Sequence, residues 1–128
     1  MELKVSTQSL GDRVVVIASG EIDLYTAPRL QDELADALAG DRAVQVLVDM
    51  SGVEFCDSTG MNVLLAAMRR ASEHGGRLSL SGLQPAVRKI LQVTGLDSVF
   101  TVLDDASGVA GGARPGDAGQ STGLPNML

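Results

Sequence analysis

Hydrophobic and polar positions along the chain follow two rhythms, one of period two and one of period near 3.6. Leu3, Val5 and Thr7 alternate with polar residues, which predicts a half-exposed strand. Leu10-Gly11-Asp12 reads as a turn. Val14 to Ala18 is a continuous, mostly β-branched apolar run, which predicts a strand buried on both faces. The two strands are expected to form a hairpin. Gly20-Glu21-Ile22-Asp23-Leu24 then reads as a loop, Thr26 as a helix N-cap and Pro28 as part of a first helical turn. Ala27, Leu30, Leu34 and Leu38 recur at helical spacing, so a helix is predicted from Ala27 to Ala39, stopped by Gly40.

Val44 to Met50 predicts the next buried strand, and Ser51 to Cys56 a short loop. A second helix is predicted from Ser58 to Glu73. Its core face is Met61, Leu64, Leu65, Met68 and Ala71, and its exposed side Asn62, Arg69, Arg70 and Glu73. Gly75-Gly76 ends it. Leu78 to Leu80 is a short strand. Pro85 opens a third helix with Val87, Ile90 and Leu91 facing inward. Gly95 caps that helix, with Leu96 folding back on the last turn. Val99 to Leu103 is a last strand. The alternation implies an α/β fold: a mostly parallel mixed sheet, right-handed crossovers and one antiparallel hairpin at the start. One domain is expected over 1–105. From 106 onward, glycines and prolines interrupt small polar residues, and 106–128 is expected to be a disordered tail.

Composition narrows the function classes. The 128 residues suffice for one core, and with 2% aromatics that core is built from aliphatic residues and methionine. The net charge of −6 argues against nucleic acid, which requires clustered lysine and arginine. The same charge suits a partner with a basic surface. The lone Cys56 excludes an internal disulfide and points to a reducing compartment. No leader pattern opens the chain and no apolar run is long enough to span a membrane, so a cytoplasmic protein is expected.

Enzymatic chemistry is hard to assemble from these residues. A hydrolase would recruit Ser58, His74 and Asp57. Yet sixteen residues of helix put Ser58 and His74 roughly 24 Å apart, far beyond proton-transfer reach. No phosphate-cradling glycine motif is present. Asp49, Asp57, Asp104 and Asp105 fall near strand ends and form at most a weak magnesium signal, so no metal site and no cofactor are expected.

The segment Asp57-Ser58-Thr59-Gly60 stands where a strand and loop hand over to a helix. N–H groups there lack partners and favour negative charge. Either Asp57 or Ser58 caps the helix, or Ser58 is a modifiable hydroxyl. A phosphate there would add about −1.5 to −2 charges. The helix dipole tolerates it, so it would act on binding rather than on the fold.

The stretch from Val46 to Met61 resembles the signature of STAS domains, in particular bacterial anti-sigma factor antagonists. Gly20-Glu21-Ile22-Asp23 with Thr26-Ala27, and Leu83 to Lys89 with Thr94-Gly95-Leu96, add to the resemblance, which covers roughly 3–103. It implies a switch that binds an anti-sigma factor, itself a GHKL-type serine kinase, and thereby releases a sigma factor. Phosphorylation of Ser58 ends binding, and a metal-dependent serine phosphatase resets the protein. It further implies a partner-binding face of Asp23, Tyr25, Thr26, Asp57, Thr59, Gly60 and Asn62. Three departures stand out. Thr59 is a second potential acceptor, although it is expected to support the helix start. Asn62 replaces a small residue that the family often carries. The family's C-terminal helix is broken here by glycines. Cys56 reads as a small buried residue or, alternatively, a redox sensor. The competing functional reading is an unphosphorylated STAS scaffold or accessory subunit of a lipid-transport or stress-signalling complex.

Overall fold

The computed structural model describes residues 2–40 and 42–103. Two strands, β1 (Leu3–Leu10) and β2 (Arg13–Ile22), form the expected antiparallel hairpin, with Leu10 paired to Arg13 across Gly11 and Asp12. Gly11 adopts φ 71°, the left-handed conformation that so tight a reversal favours. Then follow α1 (Ala27–Ala37), β3 (Gln45–Cys56), α2 (Ser58–Glu73), β4 (Arg77–Ser81), α3 (Pro85–Thr94), a 3-10 turn at Leu96–Ser98, and β5 (Thr101–Leu103). The sheet order is β1-β2-β3-β4-β5, and every pair after the hairpin is parallel. The mixed sheet is therefore the one expected.

The three crossovers advance in one direction across the sheet. Right-handed connections then bring all three helices to the same face. Burial agrees: Val14, Val16, Ala18, Val46, Val48, Met50, Leu78 and Leu80 share one core with Leu30, Leu34, Leu64, Val87 and Leu91. Leu47, on the opposite face of β3, is buried but stands outside that core. This topology corrects the reading of Val14 to Ala18 as buried on both faces. Val14, Val16 and Ala18 are buried, whereas Val15 and Ile17 point away from the helices and are half-buried.

Further corrections concern element ends. The predicted loops Gly20–Leu24 and Ser51–Cys56 are largely strand: β2 runs on to Ile22 and β3 to Cys56. The pairing shifts register twice, once between Ile17 and Ser19 and once between Gly20 and Glu21. At each shift β3 supplies one extra residue, the geometry of a β-bulge. Gly52 sits in the first shift, where an added Cβ would lie 2.9 Å from the Ser19 Cβ. α1 ends at Ala37, with Leu38 closing it by donating to the Leu34 carbonyl. α2 buries Met61, Leu64 and Ala71 as expected. Ala67 completes that face, while Leu65 and Met68 are only half-buried. Likewise Val87 and Leu91 of α3 are buried and Ile90 is partly so. Gly95 caps α3 at φ 78° with Leu96 packed back on the core, as expected, but the last strand starts only at Thr101. The whole of the expected tail, its boundary and the broken C-terminal helix lie outside the described residues.

Candidate functional site

The candidate site is assembled where β2 and β3 end. Ile22 pairs with Cys56, and the Asp57 N–H donates to the Ile22 carbonyl at 3.0 Å. This bond ties the segment before α1 to the segment before α2, so both sequence motifs arrive on one rim of the sheet.

The capping question resolves in favour of Asp57. Its backbone is extended and its Oδ1 accepts from the Gly60 N–H at 3.1 Å, closing the start of α2. The Met61 N–H reaches the Asp57 carbonyl at 3.0 Å. Ser58 is the first helical residue. It is exposed, and its hydroxyl makes no hydrogen bond to another described residue. The N–H groups of Ser58 and Thr59 find no acceptor among the described residues either, so the helix start presents unpaired donors beside a free hydroxyl. Thr59 is half-buried, while Asn62 is exposed one turn further on, on the same side as Ser58.

Gly60 has a steric reason to be glycine. An added Cβ would lie 2.5 Å from Ile22 Cγ2 and 2.7 Å from Cys56 Sγ. Gly60 is buried, so it contributes the tight packing of α2 on the strand ends rather than a contact surface. Cys56 is fully buried against it. Loss of hydration pushes its thiol up to about 12, with the neighbouring Asp57 carboxylate adding to the rise. Burial disfavours the thiolate, and the position of Cys56 against Gly60 fits the packing role.

The second segment departs from expectation in detail. Thr26 occupies the N-cap position of α1, but its hydroxyl does not cap the helix. It donates to the Glu21 carbonyl at 2.8 Å and accepts from the Asp23 N–H at 2.9 Å. Asp23 does the organising: its Oδ1 accepts from the N–H groups of Tyr25 and Thr26. These bonds, that from the Thr26 backbone foremost, hold its carboxyl below the ordinary 3.8. The result is a short polar loop that leaves Leu24 and Tyr25 pointing into solvent. Leu24 and Phe55 escaped the sequence reading because each was absorbed into a presumed loop. Their signal was a large apolar residue directly following an acid.

The structure therefore brings Asp23, Tyr25 and Thr26 to the same rim as Asp57, Ser58, Thr59 and Gly60. His74 stands at the opposite end of α2 from Ser58, with Nδ1 3.0 Å from the Arg70 carbonyl. The Asp49 carboxylate accepts from the Ser51 hydroxyl and N–H instead of converging with Asp57. Among the described residues no three histidine, cysteine, aspartate or glutamate side chains cluster as a metal site; Asp104 and Asp105 lie outside them. No described helix is long and apolar enough to cross a membrane.

The family model described as "Mlab, STAS domain" matches residues 5–104. The chain belongs to the STAS domain family. Among relatives, the anti-sigma-B factor antagonist of Listeria monocytogenes is 28% identical over 91 residues, covering 71% of this chain and 79% of that protein. Among solved structures, an anti-sigma factor antagonist from Mycobacterium paratuberculosis superposes with a TM-score of 0.76 at 27% identity. That match covers 88% of this chain and 95% of the other. SpoIIAA, an anti-sigma factor antagonist, shares the fold in its unphosphorylated form, with a TM-score of 0.70 at 23% identity over 86% of this chain and 98% of that one. Its phosphorylated form, from Bacillus, gives 0.65 at 21% over 86% and 100%. The relatives are thus named, consistently, as antagonists of anti-sigma factors.

Proposed function

We infer that this STAS domain is an anti-sigma factor antagonist, a switch without catalytic activity of its own. Unphosphorylated, it binds an anti-sigma factor that is also a GHKL-type serine kinase, and so frees a sigma factor. The kinase phosphorylates Ser58 and the complex dissolves; a metal-dependent serine phosphatase restores the hydroxyl. The protein works in the cytoplasm and needs no cofactor, nucleic acid or membrane. Asp23, Tyr25, Thr26, Asp57, Thr59, Gly60 and Asn62 build or support the face that the partner meets.

One observation carries this reading: the Ser58 hydroxyl is exposed and makes no hydrogen bond among the described residues, where Asp57 does the capping. A phosphate there meets unpaired N–H groups and the positive end of α2. The scaffold therefore accepts both states. The names of the relatives, and the two forms of SpoIIAA, support the same assignment.

The test is phosphotransfer. The purified chain is incubated with the GHKL-type anti-sigma factor of its own organism and magnesium-ATP, and the product is mapped by mass spectrometry. Phosphate is expected on Ser58 and is abolished by Ser58→Ala, and the phosphorylated chain binds the kinase at least roughly tenfold more weakly, the free-energy equivalent of about 1.4 kcal/mol. A chain that gains no phosphate at Ser58, or whose affinity stays unmoved when it does, overturns the assignment in favour of a structural STAS subunit.

A further inference from the structure

The chain has only three aromatic side chains: Tyr25, Phe55 and Phe100. Phe100 lies in the core at 4% exposure. The other two stand on the surface, Tyr25 at 87% and Phe55 at 40%, and Leu24 joins them at 63%. Scattered exposed apolar residues carry little meaning, but a cluster does. The fold brings the segments that carry these three to one rim: Glu21 pairs with Phe55, Ile22 with Cys56, and Asp57 bonds to the Ile22 carbonyl. Leu24 and Tyr25 follow Ile22 by two and three residues, and Phe55 precedes Ser58 by three. The charge within these segments has one sign, while Lys4 lines the surface beside Glu21 and Arg29 follows in the first turn of α1. Glu21, Asp23, Glu54 and Asp57 lie in these segments, and neither 20–26 nor 54–63 contains a lysine or arginine.

We propose that Leu24, Tyr25 and Phe55 are the apolar anchor of the partner interface at Ser58, fitting an apolar pocket rimmed by lysine or arginine on the anti-sigma factor. The proposal rests on the Ser58 reading above. Charge complementarity selects the occupant, since an acidic rim repels acidic surfaces and steers basic ones. The two components divide the work. The acids set the rate of approach, and the desolvated anchor sets the lifetime of the complex.

This division explains how phosphate ends binding on a face that already attracts cations. Charge alone would strengthen the attraction to a basic rim. A dianionic phosphate, however, retains bulky hydration beside Phe55 and Leu24 and keeps the pocket from closing over them. Release comes through the anchor.

The experiment measures association and dissociation of the Ser58 kinase, purified and immobilised with ADP, against single variants of the full chain. Leu24→Ser and Phe55→Ser are each expected to speed dissociation roughly tenfold with association little changed, and Phe55→Leu to retain most of the lifetime. Glu54→Gln slows association, chiefly at low salt, and leaves dissociation alone. Val93→Ser removes an exposed apolar side chain on α3, 76% exposed, and changes neither rate. Melting temperatures within a degree or two of wild type certify the fold of each variant. Wild-type lifetimes for both Leu24→Ser and Phe55→Ser overturn the anchor alone. A wild-type chain that never binds the kinase overturns the Ser58 reading, and the anchor with it.

Discussion

α1 and α2 start on the same rim, each led by a polar pair, yet the pairs do different jobs. Before α2, Asp57 turns forward to the Gly60 N–H and closes the helix. Before α1, Thr26 turns backward to Glu21 and Asp23, and the helix starts without a side-chain cap. Asp23 shapes the loop that precedes α1, whereas Asp57 shapes the helix that follows it. The difference teaches that a hydroxyl at a helix N-terminus is left exposed and uncommitted when a neighbour takes over its structural task. Ser58 is relieved in this way and Thr26 is not.

Substitutions sharpen the contrast in decreasing order of effect. Gly60→Val forces branched atoms into Ile22 and Cys56, and is expected to destabilise the domain by about 2–3 kcal/mol in urea denaturation; an unchanged midpoint would mean that α2 rides more loosely on the strands than described. Asp57→Ala removes the cap and is expected to lower stability by about 1 kcal/mol, while Ser58→Ala stays within roughly 0.5 kcal/mol. Equal losses for the two would erase the distinction between the capping residue and its uncommitted neighbour. The smallest effect belongs to Asp23. Because its carboxyl is held below 3.8, its stabilisation is complete above that value and is lost as pH falls through the lower folded value. Acid titration of Asp23→Asn is therefore expected to be flatter than that of wild type in this window and parallel to it at neutral pH. Nuclear magnetic resonance titration of the carboxyl checks the direction directly.

Periodicity made much of this legible. The apolar stripe of α2 located its start at Ser58, and the order of strands and helices implied the mixed sheet. What periodicity could not carry was the choice among hydrogen-bond partners. Thr26 and Asp57 are both good N-cap residues, and only the path of β2 into α1 decides that the Thr26 hydroxyl turns back. The extent of β3 was hidden for a different reason. Ser51-Gly52 carries a turn composition, but here it is a bulge, with Gly52 small because Ser19 presses against it. Burial of Val15 and Ile17 depended on which face the helices chose, a property of three crossovers together rather than of the run itself. The same mistaken loops concealed Leu24 and Phe55, whose exposure follows from where the strands end.

The two irregularities in β3 make that strand a ruler. They add two residues relative to β2 and deliver Cys56 opposite Ile22. Side chains alternate along a strand, so deleting one residue between Asp49 and Val53 would swap inside and outside downstream. Phe55 would turn toward the space that now holds a small thiol, and Cys56 would face water. The length of this spacer therefore constrains the rim alongside the identities of Met50 and Gly52.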